Sequence, residues 1–229
     1  MNDAVIVEAV RTPVGIGKPE KGALSGIHPV DLSAHVIDAL ISRVGIEPEN
    51  VDDVIWGCVG QVGEQSANIA RNAALAAGLP ESVTGVSVDR QCGSSQQAVH
   101  FAAAAVMSGQ MDVVIAGGVE SMSRVPMFSN MAGGDGPFGP RMMSRYPDLV
   151  NQGISAEMIA DRWNLSRAML DEIAAESQQR AARATKDGLF DAEITAVDLS
   201  EGPVHHDQGI RPDTTATSLA GLRPAFRED

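Results

Sequence analysis

The chain has 229 residues, of which 44% are hydrophobic, and it carries a formal net charge of −13 at pH 7. This apolar content is sufficient for a buried core in one or two domains. The acidic balance argues against nucleic acids and anionic membranes as partners, because polyanions are bound by clustered Lys and Arg. No apolar run approaches the roughly 18 residues of a membrane span, so we expect a globular protein that does not cross a membrane.

The first predicted strand covers residues 4–10, an apolar run that begins almost at the first residue. Because this strand begins so early, we expect no signal or transit peptide. The only cysteines are Cys58 and Cys92, which form no disulfide framework, although spacing alone leaves a single bridge possible. We therefore expect a location in the reducing cytoplasm.

Two further segments, 52–59 and 112–119, are also predicted as strands, since each is a nearly continuous apolar run rich in Val and Ile. Segment 84–88 is an additional candidate. Continuous rather than alternating apolar runs are typical of a sheet that is covered on both faces.

The pattern predicts helices over 29–44 and 66–77. The first begins at Pro29 and stops at Gly45, whereas the second begins at Ser66, which we expect to be its N-cap. Strands that alternate with helices predict an α/β fold with largely parallel strands.

After Glu120 the composition changes, because residues 126–148 are crowded with Pro, Gly and Met. Such a stretch is typical of a long loop or a domain boundary. Helices are predicted over 154–163 and 166–186, and the segment from 200 onward is expected to be mostly irregular. We therefore divide the chain into an α/β domain, 1–120, and a second domain, 121–229.

Cys92 is the candidate nucleophile. It follows the candidate strand 84–88 and precedes an almost entirely apolar helix that reaches Ser108, which we expect to be buried on all sides. Free backbone N–H groups and the positive end of the helix dipole would stabilise a thiolate at this position. Buried cysteines are commonly inert, and for Cys58, at the end of a strand, we expect that structural role.

No histidine is a convincing base for the deprotonation of Cys92. His100 lies eight residues along the same helix, about 12 Å away at ~1.5 Å per residue. His35 is on a helix, and the remaining histidines, His28 and the pair His205 and His206, lie in predicted loops. That pair lacks the Cys or carboxylate spacing of a metal site, so no metal is expected.

Five segments of the chain resemble conserved blocks of the thiolase family, and they occur in the family's order. The Cys92 segment and the Gly-Gly-Val-Glu-Ser-Met-Ser run resemble the active-site signature, and the other three resemble the first strand, a conserved helix and a late part of the loop domain. In chain order the segments are Val7–Gly15, Gly63–Arg71, Asp89–Ala98, Met111–Ser123 and Leu222–Phe226.

This resemblance implies an acyl-CoA acyltransferase in which the Cys92 thiolate attacks the 3-keto carbon of a 3-ketoacyl-CoA. It implies no covalently bound cofactor, with coenzyme A (CoA) as a substrate. Residues 121–229 correspond to the family's loop domain, where Arg211 matches a residue that contacts the nucleotide end of CoA. Gln152 matches a position in the pantetheine tunnel, although its neighbourhood departs from the family pattern.

The resemblance also implies what completes the fold. In the family, the last strand of the first half follows the loop domain, and a second half supplies a histidine base, an asparagine-held water and a second cysteine. These elements are expected from a complementing C-terminal chain or from further residues of the protein. The family forms dimers and tetramers, so a homo-oligomer is expected.

Two residues near Cys92 depart from the family pattern. This chain has Asp89 where the family usually has Asn, and Ser95 where it usually has Gly. These changes are expected to reshape the acyl pocket. Two other functions remain open: a non-catalytic fragment that binds CoA or a thiolase partner, and a condensing enzyme similar to β-ketoacyl synthases, which share the cysteine placement.

Overall fold

The computed structural model describes residues 3–227. The chain forms two compact units, one from Met1–Ala132 with Asp191–Gly209 and the other from Gly133–Phe190 with Ile210–Asp229. Segment 191–209, which the sequence-based division assigned to the second domain, thus belongs to the first unit. No helix among residues 3–227 is long and apolar enough to cross a membrane.

Among its described residues, the first unit contains three helices, three strands and three short 3₁₀ turns. The helices are α1 (Pro29–Val44), α2 (Ile69–Ala76) and α3 (Ser94–Ser108), the strands are β1 (Asp53–Gly57), β2 (Thr84–Val88) and β3 (Val114–Gly118), and the 3₁₀ turns are Pro48–Asn50, Gly63–Gln65 and Ser129–Met131.

The three strands form one parallel sheet in the order β2-β1-β3. The central strand β1 is buried along its whole length. Val54 and Trp56 pack on the side of α1 and α2, and Ile55 packs on the side of α3, since successive side chains point to opposite faces. The predicted α/β fold with parallel strands is confirmed.

The bounds of α1 match the prediction, whereas α2 begins three residues later than expected. Asn68, not Ser66, caps α2: its side-chain oxygen accepts a hydrogen bond from Arg71 N, and its amide donates to Gly85 O at 2.8 Å. Asn68 has a φ of 61°, a left-handed conformation that Asn tolerates better than most residues. Ser66 instead donates its hydroxyl to Gly63 O.

Helix α3 was expected to be buried on all sides, and this prediction is wrong for the described chain. Its buried residues, Ser94, Ala98 and Ala102, are spaced by four and lie on one face. Val99 and Phe101, on other faces, are exposed because the sheet covers only one side of the helix.

The predicted strand over residues 4–10 is also wrong for this chain. Residues 3–10 carry no regular secondary structure, and Ile6 is 79% exposed. Pairing begins only at Arg11, whose N–H donates to Glu193 O and whose carbonyl accepts from Thr195 N. A strand needs a neighbour for its backbone groups, and the sheet ends at β3 before it reaches this segment.

An apolar cavity of about 780 Å³ separates the segment 3–17 from β3. One side of α1, including Val36 and Leu40, and one side of α3, including Val106, form its other walls. Because β3 is an edge strand, its outer backbone groups face this cavity. The cavity therefore lies where a further strand would pair with β3, with α1 on one side and α3 on the other.

The returning segment 191–209 is held to the first unit by a charged cluster. The Arg11 guanidinium contacts Glu193 at 2.7 Å and both carboxylate oxygens of Asp207 at 2.7 and 3.0 Å. Burial disfavours the charged form of Asp207, but hydrogen bonds from Arg11 and from Val14 N outweigh this effect and hold its pKa below the ordinary value.

The second unit, as far as residue 227, contains four helices: α4 (Pro140–Arg145), α5 (Gln152–Arg162), α6 (Arg167–Lys186) and α7 (Ala216–Ala220). The two predicted helices correspond to α5 and α6. Arg167 joins α6 to α7, since its guanidinium pairs with Asp171 and also donates to the carbonyls of Leu219 and Leu222. Gly153 lies against the Phe226 ring, where any Cβ would be 2.1 Å from a ring carbon.

Two isoleucines provide a matched test of this fold. Ile37 on α1 is 0% exposed, whereas Ile6 is 79% exposed. We expect Ile37→Ala to lower the free energy of unfolding by about 2–5 kcal/mol, because it leaves a cavity in the core. The same substitution at Ile6 should change it by less than about 0.5 kcal/mol. Urea denaturation followed by circular dichroism measures both, and an equal loss would show that residues 4–10 form part of the core.

Candidate active site

The carboxyl ends of three parallel strands meet at one edge of the sheet, and the loops that leave them carry the candidate site. Cys58 follows β1, Asp89 follows β2, and Glu120 lies two residues after β3. Cys92 lies in the short connection between β2 and α3, two residues before the helix begins. This edge is where the helix N-terminus and the ends of the parallel strands come together.

Two glycines allow α3 to approach this edge. A Cβ on Gly57, at the end of β1, would lie 2.4 Å from Ser95 N, and a Cβ on Gly118, at the end of β3, would lie 2.1 Å from Ser95 Oγ. Both positions therefore exclude any side chain. As a result, the first turn of α3 lies directly against the carboxyl ends of β1 and β3.

The connection between β2 and α3 is a tight, hydrogen-bonded turn. Gly93 N donates to Arg90 O, and Ser94 N donates to Gln91 O, both at 3.1 Å. Gln91 has a φ of 47°, in the left-handed region that non-glycine residues seldom adopt. Cys92 is the residue after this strained position, and its side chain is exposed. The arrangement resembles the strand, turn and helix that present nucleophiles in other folds.

The two cysteines have opposite environments, and both are free thiols. Cys58 is 1% exposed. Burial raises the pKa of the Cys58 thiol to about 12, with further increases from the negative charges of Glu120 and Asp89. Cys58 is therefore a buried core thiol, in line with the structural role expected for it, whereas Cys92 is accessible to solvent.

Glu120 connects two loops beside Cys58, a role that sequence analysis did not identify. Its carboxylate accepts from the backbone N–H of Val59 and of Gly60 and from Gln65 Nε2. Gln65 is fully buried, and its Oε1 accepts from Ser121 N at 2.6 Å. The signal was present, because Glu120 directly follows the predicted strand 112–119. The loops after β1 and β3 are thus fixed to each other.

No histidine among residues 3–227 makes a hydrogen bond to Cys92. His28 caps α1, since its Nδ1 accepts from Val30 N, and His35 Nε2 lies 3.3 Å from Thr195 Oγ1. The rings of His205 and His206 lie 6.4 Å apart in a loop. Among residues 3–227, no hydrogen bond joins Cys92 to a histidine or a carboxylate, and no group of three His, Cys, Asp or Glu residues could hold a metal ion.

The two predicted CoA-binding residues belong to the second unit. Gln152 is exposed in the first turn of α5, which Asn151 caps by accepting from Ile154 N. Arg211 is exposed, and its backbone N–H donates to Gln178 Oε1 on α6 at 2.7 Å. Within residues 3–227 the Arg211 guanidinium makes no hydrogen bond or ion pair, so its donors remain available for a ligand.

Comparison with known proteins identifies relatives over the whole chain. Residues 4–229 match the family model described as "Thiolase, N-terminal domain". A steroid 3-ketoacyl-CoA thiolase of Mycobacterium tuberculosis is 46% identical over 98% of this chain and 56% of its own length. A 3-ketoacyl-CoA thiolase of Colwellia psychrerythraea is 43% identical over 99% of this chain and 58% of its own length.

A solved structure shows the same architecture. The acetyl-CoA acetyltransferase of Bacillus anthracis superposes with a TM-score of 0.83 at 36% sequence identity, covering 100% of this chain and 60% of its own. The predicted thiolase-like fold is thereby confirmed. The chain spans somewhat more than half the length of these relatives.

The contrast between the cysteines predicts selective labelling. Iodoacetamide at neutral pH should modify Cys92 in the folded chain and leave Cys58 unmodified, because a thiol with a pKa of about 12 and 1% exposure is both protonated and inaccessible. Peptide mapping by mass spectrometry identifies the modified residue. In urea both cysteines should react, which provides the control, and equal rates in the folded chain would contradict the assignment.

Proposed function

Because the chain belongs to the thiolase family, we propose that Cys92 is the acyl-accepting residue of a thiolase-type acyl-CoA acyltransferase. The observation that carries this proposal is the position of Cys92, which is exposed, follows a strained turn and precedes the N-terminus of a 15-residue helix. The N-terminal end of such a helix stabilises negative charge, both on a thiolate and on an oxyanion formed beside it.

The proposed reaction begins when the Cys92 thiolate adds to the 3-keto carbon of a 3-ketoacyl-CoA. The bond between the second and third acyl carbons then breaks, the electron pair leaves on the acetyl-CoA carbanion, and that carbanion takes up a proton. The acyl group remains on Cys92 as a thioester. The thiolate of a second CoA then attacks this thioester, which releases the shortened acyl-CoA and restores Cys92; the reverse sequence is a Claisen condensation.

The proton transfers of this cycle need groups beyond those described. Cys92 has no hydrogen bond to a histidine or carboxylate among residues 3–227, and a cysteine nucleophile needs a base. We propose that further polypeptide supplies this base and the proton donor. Without that polypeptide, the chain would be a non-catalytic fragment that binds CoA or a partner, which is the alternative function.

The cavity beside β3 supports this requirement for further polypeptide. Its walls are apolar, one boundary is the free edge of β3, and the opposite boundary is a segment whose Val5, Ile6 and Val7 are exposed. A strand in this space would pair with β3 and cover the apolar side chains of that segment. We propose that this occupant comes from the part of the longer relatives that has no counterpart here.

We further propose that the complete protein is a homo-oligomer. Strand β2 is the other edge of the sheet, and its Val86 is 43% exposed. An exposed edge strand pairs readily with a second copy of itself.

Acetyl transfer to the chain tests the central proposal. On incubation with acetyl-CoA, we expect one acetyl group on Cys92, formed slowly at neutral pH and faster at about pH 9, where solution hydroxide deprotonates a thiol without a protein base. Intact-mass measurement and peptide mapping detect the adduct. Cys92→Ala should remove it and Cys58→Ala should not.

Two outcomes would contradict the proposal. An adduct that persists in Cys92→Ala would exclude Cys92 as the acceptor, and no adduct at either pH would exclude acyl transfer from CoA. Cleavage of acetoacetyl-CoA by the purified chain alone would instead contradict the need for further polypeptide and would eliminate the non-catalytic alternative.

The role of Arg211 has its own test. Arg211→Ala should raise the Kd for CoA about three- to tenfold, because a guanidinium that contacts phosphate contributes charge-assisted hydrogen bonds. Isothermal titration calorimetry measures this change. The matched control is Arg180→Ala on α6, which removes an equal charge from a solvent-exposed ion pair with Glu176. An equal rise in Kd for both variants would show that Arg211 acts only through the net charge of the chain and makes no specific contact with CoA.

A further inference from the structure

We propose that Asp89 and Ser94 are positioning residues that hold the turn before α3 and thereby fix Cys92. The proposal rests on the proposed role of Cys92 as the acyl-accepting residue. The Asp89 side chain accepts a hydrogen bond from the backbone N–H of Gln91, the residue before Cys92. The Ser94 side chain donates a hydrogen bond to the backbone carbonyl of Gln91.

The turn needs such support because Gln91 is in a left-handed conformation, with a φ of 47°. In that conformation the Cβ of an L-residue crowds its own backbone, so the turn is stable only when other interactions hold it. Gln91 is also exposed, so packing in the core does not provide this support.

Asp89 holds the peptide group that precedes Gln91. Its Oδ1 accepts from Gln91 N at 2.7 Å, and the Gln91 side-chain amide lies at 3.4 Å from the same oxygen. A carboxylate that accepts from the backbone two residues later closes a turn of its own, and this contact holds the Gln91 N–H in place. An Asn at this position would offer the same acceptor without the charge.

Ser94 holds the peptide group that follows Gln91 and leads into Cys92. Its hydroxyl donates to Gln91 O at 2.6 Å and accepts from Arg90 N at 3.0 Å. Ser94 is only 4% exposed, and it lies on the face of α3 that packs on the sheet. The hydroxyl therefore connects the nucleophile turn to the rigid part of the fold.

Asp89 and Ser94 hold opposite ends of Gln91. Asp89 fixes the N–H of Gln91 and Ser94 fixes its carbonyl, so both peptide planes around the strained residue are held. The second of these planes contains the nitrogen of Cys92. Loss of either side chain should release Cys92 from its place at the start of α3 without unfolding the sheet.

Four substitutions test this proposal in the purified chain. Asp89→Ala removes the acceptor and the charge, Asp89→Asn removes only the charge, and Ser94→Ala removes the buried hydroxyl. The matched control is Ser108→Ala at the other end of α3, where the hydroxyl donates to Ala105 O with the same spacing of three residues. The rate of Cys92 alkylation by iodoacetamide is measured for each at neutral pH.

We expect Asp89→Ala and Ser94→Ala to slow Cys92 alkylation about three- to tenfold, because the thiol loses its position at the positive end of the helix. Asp89→Asn and Ser108→Ala should remain within about twofold of the parent chain. Hydrogen exchange at the Gln91 amide should accelerate in Asp89→Ala and not in Asp89→Asn, since only the first loses the acceptor.

Cys58 serves as an internal control for folding, because it reacts only when the core opens. A reactive Cys58 in Ser94→Ala would mean that this variant has partly unfolded. The comparison of Asp89→Ala with Asp89→Asn then tests the proposal. An unchanged rate in Asp89→Ala, or an equal loss in Asp89→Asn, would overturn the proposal. A lack of acetyl transfer from acetyl-CoA would contradict the proposed function alone, because the alkylation comparison does not depend on CoA.

Discussion

The close approach of α3 to the carboxyl ends of the strands is the constraint on which the site depends. It is possible only because Gly57 and Gly118 have no side chains, since a Cβ at either position would overlap the first turn of the helix. The turn from β2 to this helix is short, and Gln91 within it has a left-handed φ of 47°. Cys92 takes its position at the helix start from these contacts.

The same edge of the sheet keeps its two thiols chemically distinct. Glu120 and Gln65 tie the loops after β1 and β3 together over Cys58, so this thiol is buried beside a carboxylate and is held in its protonated form. Cys92 lies on the exposed side of the turn, where the helix N-terminus favours an anion. Burial and charge, rather than residue type, therefore separate a structural cysteine from a candidate nucleophile.

The first unit is well packed on one side of its sheet and open along another. Among the described residues, every buried side-chain nitrogen and oxygen has a hydrogen-bond partner, including Trp56 Nε1, which donates to Ser33 Oγ. In contrast, the edge of β3 borders an apolar cavity, and one face of α3 is exposed. Within residues 3–227, Cys92 also has no hydrogen bond to a base. The proposal that further polypeptide completes the sheet and the site accounts for both features.

The sequence by itself determined the local elements and the identity of the candidate nucleophile. Pro29 and Gly45 delimit α1, and apolar runs mark β1 and β3, whereas 84–88 was only a candidate for β2. Cys92 stands out because a turn and an apolar helix adjoin it. These features depend on neighbouring residues, so a local pattern is sufficient to predict them. The predicted division at residue 120 was based on composition, which carries no information about the return of 191–209 to the first unit.

Only the tertiary structure decided which apolar segments find a partner. Residues 4–10 have the composition of a strand, yet a strand forms only where a neighbouring backbone is present, and α3 is buried only where the sheet covers it. The contacts of Glu120 with Gln65, 55 residues apart, likewise arise only when the loops after two parallel strands meet at one edge. Such long-range pairing depends on how the whole chain folds, and this information is not contained in any local stretch of sequence.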